Sequence, residues 1–308
     1  MAHFTRRTGT AQRFAYDGAD GVLRTLLIDF SLTPTLAPRT SEQTIAYFKF
    51  EPEPSASQDL IVTCRLDERP AGKKPPASAR APRSVADMQQ AQKAASHALL
   101  DGYVRVQTLS QAVGEVLARS LSDVALLEVR RGKHRFTAAG IAWFVGLFGR
   151  DSLLPTLQCL VLNPALGART TKALAHWQGK KDDERTREQR GKILHELRVG
   201  ELAHLHEVSQ TPRYAAVDAT LPFLLAIARH VEAVDDLGLF KTLRPNIDRA
   251  RAWLDRKAVE NEAGYLTYDG VAEGDQPMNQ SWRDSGTGVL RADGSYPKPP
   301  LALVEVQG

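Results

Sequence analysis

The sequence predicts a mainly α-helical protein in which helices packed as an α/α toroid follow a short β-rich segment. Three observations lead to this class. Roughly the first seventy residues contain short runs rich in β-branched and aromatic residues. Helical periodicity dominates from about residue 85 onwards. Long loops rich in Gly, charge and Trp separate the helical segments, an arrangement typical of a toroid with its functional site at one rim.

The β-rich segment contains three expected strands, at residues 23–30, 44–50 and 60–66, separated by Pro, Ser and Gly. So few strands make a poor independent domain. We therefore interpret residues 1–70 as part of an N-terminal β-sandwich domain and expect its partner strands to be missing. Residues 71–86, rich in Pro, Ala and basic side chains, are interpreted as a linker.

The helical part is interpreted as a domain of paired helices that extends from residue 87 to residue 308. Apolar residues at i, i+3 and i+4 spacing predict helices at 85–99, 107–128, 151–162, 164–177, 196–208, 217–234 and 238–258. Loops as long as those expected at 130–150, 178–195 and 259–300 are usually functional or disordered.

Composition excludes several functional classes. The formal charge is +4, but basic residues are spread along the chain beside nearly as many acidic ones and no basic block carries interleaved aromatics, so we expect no nucleic-acid partner. No apolar run approaches the roughly 18 residues that a membrane span needs, so no membrane partner is expected. The N-terminus does not resemble a secretory signal, and Cys64 and Cys159 lack the spacing of a metal site or a disulfide framework. We expect a cytoplasmic protein with free thiols and no metal or cofactor.

Two motifs in the first half of the helical part carry candidate binding residues. The segment 139–152 contains Trp143, Arg150 and Asp151, which suit a sugar pocket because sugars stack on aromatic faces and bind charged groups through their hydroxyls. A helix cap at Asp151 or Ser152 is the alternative. The segment 191–201 places His195, Glu196 and Arg198 within about two expected helical turns. A solvated helix face is the alternative there.

Two further motifs follow. Tyr214 and Asp218 lie before a strongly periodic helix, where a core tyrosine and a helix cap are the alternative interpretations. Gln280, Trp282 and Asp284 combine an amide, an aromatic platform and a carboxyl group. An apolar face at Trp282 would favour the protonated form of Asp284, which could then donate a proton to a glycosidic oxygen. An Asp-Ser turn on a surface loop is the alternative.

Taken in order, the blocks FGRDSL, GKILHELRVGELA, Tyr214 with VDATLPF, NQSWRDS and PPLALVEVQG resemble the bacterial amylo-α-1,6-glucosidase family of glycogen-debranching-like glycosidases. The resemblance extends from about residue 136 to the end of the chain. It implies the (α/α)6 barrel of the six-hairpin glycosidases and hydrolysis of α-1,6 branch linkages in glucans or oligosaccharides.

The resemblance also implies roles for individual residues. Arg150 and Asp151 match the pair that holds the non-reducing glucose, and Asp284 matches the general acid of an inverting mechanism. The remaining matches are to pocket-lining positions: His195, Glu196, Arg198, Tyr214 and Asp218.

The resemblance predicts an incomplete catalytic unit. The family's general base belongs to a later part of the barrel, so both ends of this chain are expected to be truncated and the chain alone to have little activity. An open half-barrel would expose apolar helix faces, which predicts self-association. Two alternatives stay open: another six-hairpin glycosidase of trehalase, mannosylglycerate hydrolase or glucoamylase type, or an inactive carbohydrate-binding fragment.

Overall fold

A computed structural model describes the following residues: 2–8, 10–36, 45–73, 84–208, 211–260, 262, 264–269, 279–285 and 287–307. Backbone contacts divide the chain into two compact units, Met1–His97 and Ala98–Gly308. Each unit is considered separately below.

The N-terminal unit is built on an antiparallel sheet of four strands in the order β1-β2-β3-β6. These strands are β1 (Ala2–Thr8), β2 (Ala11–Asp17), β3 (Val22–Phe30) and β6 (Val62–Pro70). A separate two-residue pair joins β4 (Thr35–Leu36) to β5 (Ala46–Tyr47). Burial is sparse, and Leu66 of β6 is 84% exposed, so the sheet contributes only a small apolar core.

Two amphipathic helices follow. Helix α1 (Val85–Leu100) crosses the division between the units and has no buried residue. Helix α2 (Gln111–Leu126) buries Ala125 alone. The hairpin of β7 (Glu128–Arg131) and β8 (His134–Thr137) then leads into the main core.

The core of the C-terminal unit is formed by four helices: α3 (Gly149–Gln158), α4 (Pro164–His176), α6 (Thr220–Val234) and α7 (Gly238–Ala258). Leu153, Leu174, Phe223 and Ala250, one from each helix, are fully buried in one cluster. Burial of such side chains contributes about 1.5–3 kcal/mol each. These helices therefore form a rigid scaffold.

Shorter elements surround this scaffold. The strand pair of β9 (Leu147–Phe148) and β10 (Glu196–Leu197) joins the start of α3 to the segment before α5 (Glu201–His204). A second pair, β11 (Thr267–Tyr268) with β12 (Leu301–Ala302), precedes a short 3-10 helix at Val304–Val306.

The predicted fold class is wrong. Within the described part of the chain there are seven helices, and the strands form small sheets. The described residues show no (α/α)6 toroid: α3, α4, α6 and α7 pack on one another, and α3 and α4 also pack on β8. The expected β-sandwich remnant is a single four-stranded layer. We predicted self-association from the exposed faces of a half-barrel, which the described residues do not form. Self-association stays a prediction.

Some of the predicted strands and helices are confirmed, and one predicted helix is wrong. The expected strand at 23–30 and the expected helices that became α3, α4, α6 and α7 are confirmed within a few residues. The expected helix at 196–208 is wrong, since its first two residues form a strand and only Glu201–His204 are helical. Much of the expected linker, residues 74–83, lies outside the described residues.

Among the residues that the structure describes, no helix combines the length and apolar character needed to cross a membrane.

Candidate functional site

Gly149 fixes the position of the first candidate residue, Arg150. The amide of Gly149 donates to the carbonyl oxygen of His195 at 2.9 Å. A Cβ atom at residue 149 would lie 2.1 Å from the carbonyl oxygen of Leu194 and 2.7 Å from Cβ of Ala219. Only glycine permits so close an approach of three chain segments. The first turn of α3 is thereby held beside the segments that carry His195 and Asp218.

Arg150 and Asp218 form a buried ion pair at the centre of the site. Nη1 of Arg150 donates to both carboxylate oxygens of Asp218, at 3.1 and 2.8 Å. The two residues are 8% and 4% exposed. Burial raises the pKa of Asp218, while the guanidinium of Arg150 and a backbone amide oppose that shift. Asp218 is therefore not the helix cap considered from sequence, since α6 begins at Thr220 and Ala219 is its N-cap residue.

The same carboxylate anchors the loop that carries Trp282 and Asp284. The backbone amide of Trp282 donates to Oδ2 of Asp218 at 2.7 Å. Asn279, fully buried, donates through Nδ2 to the carbonyl oxygen of Ser285 at 2.8 Å, which closes the loop on itself. Three separate sequence blocks thus meet at Asp218.

Asp284 lies at the exposed side of this assembly. Its side chain is 51% exposed, and its Oδ2 is 4.0 Å from Nε2 of His195. Burial, together with the positive charges of Arg150 and other nearby cations, lowers the pKa of His195 to about 3. The imidazole is therefore neutral at physiological pH, and the 4.0 Å separation is neither an ion pair nor a hydrogen bond. The carboxyl group of Asp284 is therefore exposed to solvent, whereas we expected the apolar face of Trp282 to cover it.

Asp151 and Trp282 complete the exposed surface. Oδ2 of Asp151 accepts from Nη2 of Arg150 at 3.3 Å, and the Asp151 side chain is 37% exposed. Asp151 lies in the first turn of α3 and makes no capping hydrogen bond; Ser152 instead accepts from the amide of Phe148 at 3.3 Å. Trp282 is 53% exposed, with the guanidinium carbon of Arg283 4.7 Å from its ring centroid.

A second series of polar contacts links Glu196, Arg198 and the loop that carries Trp143. Glu196, 6% exposed, pairs with Arg198, and Nη1 of Arg198 donates to the carbonyl oxygen of Trp143 at 2.8 Å. The Trp143 side chain belongs to a loop that leaves it 82% exposed. Glu196 lies in a strand rather than on a solvated helix face. These contacts connect the Trp143 loop to β10 and do not include Asp284.

Two of the expected binding residues point elsewhere. The hydroxyl of Tyr214 donates to the carbonyl oxygen of Trp177 at 2.5 Å, and Tyr214 is 2% exposed, so its side chain belongs to the core. Gln280 donates through Nε2 to the carbonyl oxygen of Asp269 at 3.2 Å. It lines a separate cleft, together with Val217.

That cleft contains a residue that our sequence reasoning missed. Lys192 is 3% exposed, and burial together with the charges of Lys257 and Arg187 lowers its pKa to about 7. The sequence signal for this burial is that two apolar residues, Ile193 and Leu194, follow Lys192. Both are 0% exposed in the structure. In the described part of the chain, no three His, Cys, Asp or Glu side chains cluster as metal ligands.

The structure therefore brings together Arg150, Asp151, Asp218, His195 and the loop of Trp282 and Asp284, all from the C-terminal unit. Such an assembly of charged groups with an exposed aromatic ring can bind a polar ligand through hydrogen bonds and stacking. In comparisons with known proteins, no family model matches the chain and no protein of curated function matches it.

Proposed function

We propose that this protein is a glycoside hydrolase acting on α-glucosidic linkages, with α-1,6 branch linkages of glucans or oligosaccharides as its substrates. The support comes from the ordered motifs, which resemble those of amylo-α-1,6-glucosidases, and from the meeting of three of these motifs at one carboxylate. That meeting is the observation on which the proposal depends: Asp218 accepts from Arg150 and from the amide of Trp282.

Asp284 is the proposed general acid. In an inverting mechanism one carboxylic acid protonates the leaving oxygen, and a second carboxylate, roughly 6.5–9.5 Å away, activates water on the opposite face of the sugar. The 51% exposure of Asp284 leaves its carboxyl group accessible to a glycosidic oxygen. The second carboxylate is not among the residues that match the family motifs.

Arg150, Asp151 and Trp282 are proposed to hold the sugar. Asp151 has an exposed carboxylate that can accept hydrogen bonds from two neighbouring hydroxyls. Arg150 is held by Asp218, so its guanidinium keeps a fixed position when the sugar binds. The exposed face of Trp282 can stack against the apolar face of a pyranose ring.

Two free cysteines, Cys64 and Cys159, support the further proposal of a cytoplasmic location.

The test measures binding and turnover separately on the whole chain. Glucose release is followed with branched limit dextrin, isomaltose, maltose and trehalose, and binding of the same sugars is measured by calorimetry. We expect the branched substrates to bind. Replacing Asp284 by Asn should abolish any turnover and leave sugar affinity within about twofold, because the acid group acts in the transition state rather than in ground-state binding.

Asp255→Asn is the matched control, because Asp255 is an exposed carboxylate on α7 far along the chain from the site motifs. It should behave as the wild type in both measurements. Binding without turnover would favour a carbohydrate-binding role, and cleavage of trehalose alone would assign a different glycosidase specificity. Failure to bind or cleave any of the sugars would refute the proposal.

A further inference from the structure

A cleft of about 440 Å³ lies in the C-terminal unit, apart from the candidate site described above. Its walls come from residues 182–189, Lys192, Val217, the end of α7 and residues 267–269 with Gln280. Arg150, Asp151, His195 and Asp284 do not line it. The volume falls within the roughly 300–1,000 Å³ typical of small-molecule sites. We call it the Lys192 cleft.

Lys192 gives the cleft its chemistry. The residue is 3% exposed, and its Nζ atom is 5.7 Å from the centroid of the Trp253 ring. Within the described residues, Nζ makes no hydrogen bond and no ion pair. Its strongest charged influences are repulsive and come from Lys257 and Arg187, which also line the cleft. A buried ammonium without a carboxylate partner is costly, and an anion bound beside it would remove that cost.

Most carboxylates of the cleft are already engaged. Asp183 pairs with Lys181 at 2.7 Å, and Glu260 pairs with Lys257 at 2.5 Å. Oε1 of Glu188 accepts from the backbone amides of Lys180 and Lys181, at 2.7 and 3.4 Å. These carboxylates are therefore engaged elsewhere, and the charges of Asp218 and Glu260 offset only part of the cost of charging Lys192.

Arg187 is the second cation without a partner. Among the residues that the structure describes, its guanidinium makes no hydrogen bond or ion pair, and its backbone has a φ of +57°. Arg187 and Lys192 line the same cleft, and the charge of Arg187 lowers the pKa of Lys192. The unmatched charge at this point of the cleft is positive.

The rest of the lining offers groups that suit hydroxyls. Glu184 and Asp269 are exposed carboxylates that form no ion pair with any residue the structure describes. Gln189 accepts from Nε1 of Trp253 at 2.7 Å through Oε1, which leaves its amide donors available. Gln280 donates to a backbone carbonyl through Nε2, which leaves its Oε1 available. A cleft lined by carboxylates and amides as well as by cations favours a ligand with both hydroxyls and one anionic group.

We propose that the Lys192 cleft binds a small polyhydroxylated acid, a sugar phosphate or a sugar carboxylate, whose anionic group lies between Lys192 and Arg187. The proposal does not depend on glycosidase activity, because the cleft and the Asp284 site have no lining residue in common.

Calorimetric titration of the whole chain tests this site with glucose 6-phosphate, glucuronate, inorganic phosphate and glucose. We expect at least one of the two sugar anions to bind more than tenfold more tightly than glucose, and inorganic phosphate to bind more weakly than that anion. Binding of the phosphate ester alone would assign a sugar phosphate, and binding of glucuronate alone would assign a sugar acid. Equal affinity for glucose and both anions, or no binding of either anion by folded protein, would overturn the proposal.

The pH dependence gives a second readout. Glucuronate keeps its charge between about pH 6 and about pH 8.5, so a change in its affinity reports the protein. Because the ligand binds the protonated form of Lys192, whose pKa is about 7, affinity should fall more than tenfold as the pH rises across this interval. Glucose 6-phosphate serves as the probe instead if glucuronate does not bind, with its own second ionisation subtracted.

Substitutions distinguish the contribution of the two cations to anion binding from an effect on folding. Lys192→Met should abolish anion binding, and Lys192→Arg should keep binding but remove its pH dependence, because arginine stays charged. Arg187→Gln should weaken binding about tenfold, as loss of one charged contact does. Lys241→Met, at an exposed lysine on α7, should change nothing, and circular dichroism confirms folding of each variant. Anion binding that survives in folded Lys192→Met protein would refute the assignment.

Discussion

Replacing Lys192 by Met should make the protein more stable at neutral pH, although most core substitutions destabilise. The reason is the cost of the buried charge. The pKa of Lys192 falls from the ordinary 10.5 to about 7 on folding. The unfolded chain therefore binds more protons than the folded chain between those two pH values, and stability rises with pH across that window. Below pH 7 the full cost is present, and above the unfolded pKa it is gone.

The magnitude follows from the shift. Each unit of pKa difference corresponds to about 1.4 kcal/mol, so the charged form costs roughly 5 kcal/mol below pH 7. Between pH 7 and about pH 9 the wild-type protein should regain about 2 kcal/mol of that cost. The Met variant has no such term. Its advantage over the wild type should therefore shrink by about 2 kcal/mol over this interval, whatever the variant loses or gains by repacking.

Urea unfolding followed by tryptophan fluorescence measures this difference. The four tryptophans, Trp143, Trp177, Trp253 and Trp282, all belong to the C-terminal unit, so the transition reports that unit. Lys241→Met should show no pH-dependent advantage, because Lys241 is exposed. If the difference in free energy of unfolding between Lys192→Met and wild type is the same at both pH values, the conclusion that Lys192 is buried without a partner is wrong.

Three further substitutions test the packing of the C-terminal unit by urea unfolding. Asp218→Asn should cost about 3 kcal/mol, since it leaves the buried guanidinium of Arg150 without its counter-charge; a loss below about 1 kcal/mol would argue against the pair. Gly191→Ala should cost at least about 3 kcal/mol, because φ is +93° and the new Cβ would lie 2.1 Å from the carbonyl oxygen of Arg249; a neutral result would contradict that close approach. Tyr214→Phe should cost about 1 kcal/mol, the net worth of one buried hydrogen bond to a backbone carbonyl, and an unchanged midpoint would show that the bond is absent in solution.

Elements with strong local patterns could be predicted from the sequence. Helix α6 was recognisable because apolar residues repeat at helical spacing, and the helix packs against α3, α4 and α7. The predicted apolar stripe was wrong in detail, because Leu225 is 44% exposed and the helix instead buries Phe223, Ala226 and Ile227. The strand at Val22–Phe30 was recognisable as a short run containing β-branched and aromatic residues between segments rich in Gly, Ser and Pro. In both cases local preference and tertiary contact favour the same structure.

The segment after His195 shows where local preference fails. Its helical spacing predicted one continuous helix, yet the backbone of Glu196 bonds to Arg213 in both directions, at 3.1 and 2.9 Å, and pairs with Phe148. Those partners are 17 and 48 residues away along the chain, so no local pattern could indicate them. The toroid prediction failed for the same reason, because helix spacing does not determine which helices become neighbours.

The site itself was predicted in part. Residue types drew attention to Arg150, Asp218 and Asp284, and the structure places them in one neighbourhood. The sequence could not show that Asp218 would be the shared anchor, since Asp before a helix is usually a cap. Nor could it show that Lys192 would be buried, because lysine is seldom found in a protein interior.

The close approach at Gly149 limits how the site can change. With the backbone of residue 194 and the side chain of Ala219 already in contact with this glycine, the segments bearing Arg150, His195 and Asp218 cannot slide past one another. Amide exchange at Gly149 should accordingly require unfolding of the whole unit rather than a local opening. Adaptation to new ligands is then left to side chains on the solvent side, chiefly Trp282 and Asp284, which can be exchanged without disturbing the scaffold beneath them.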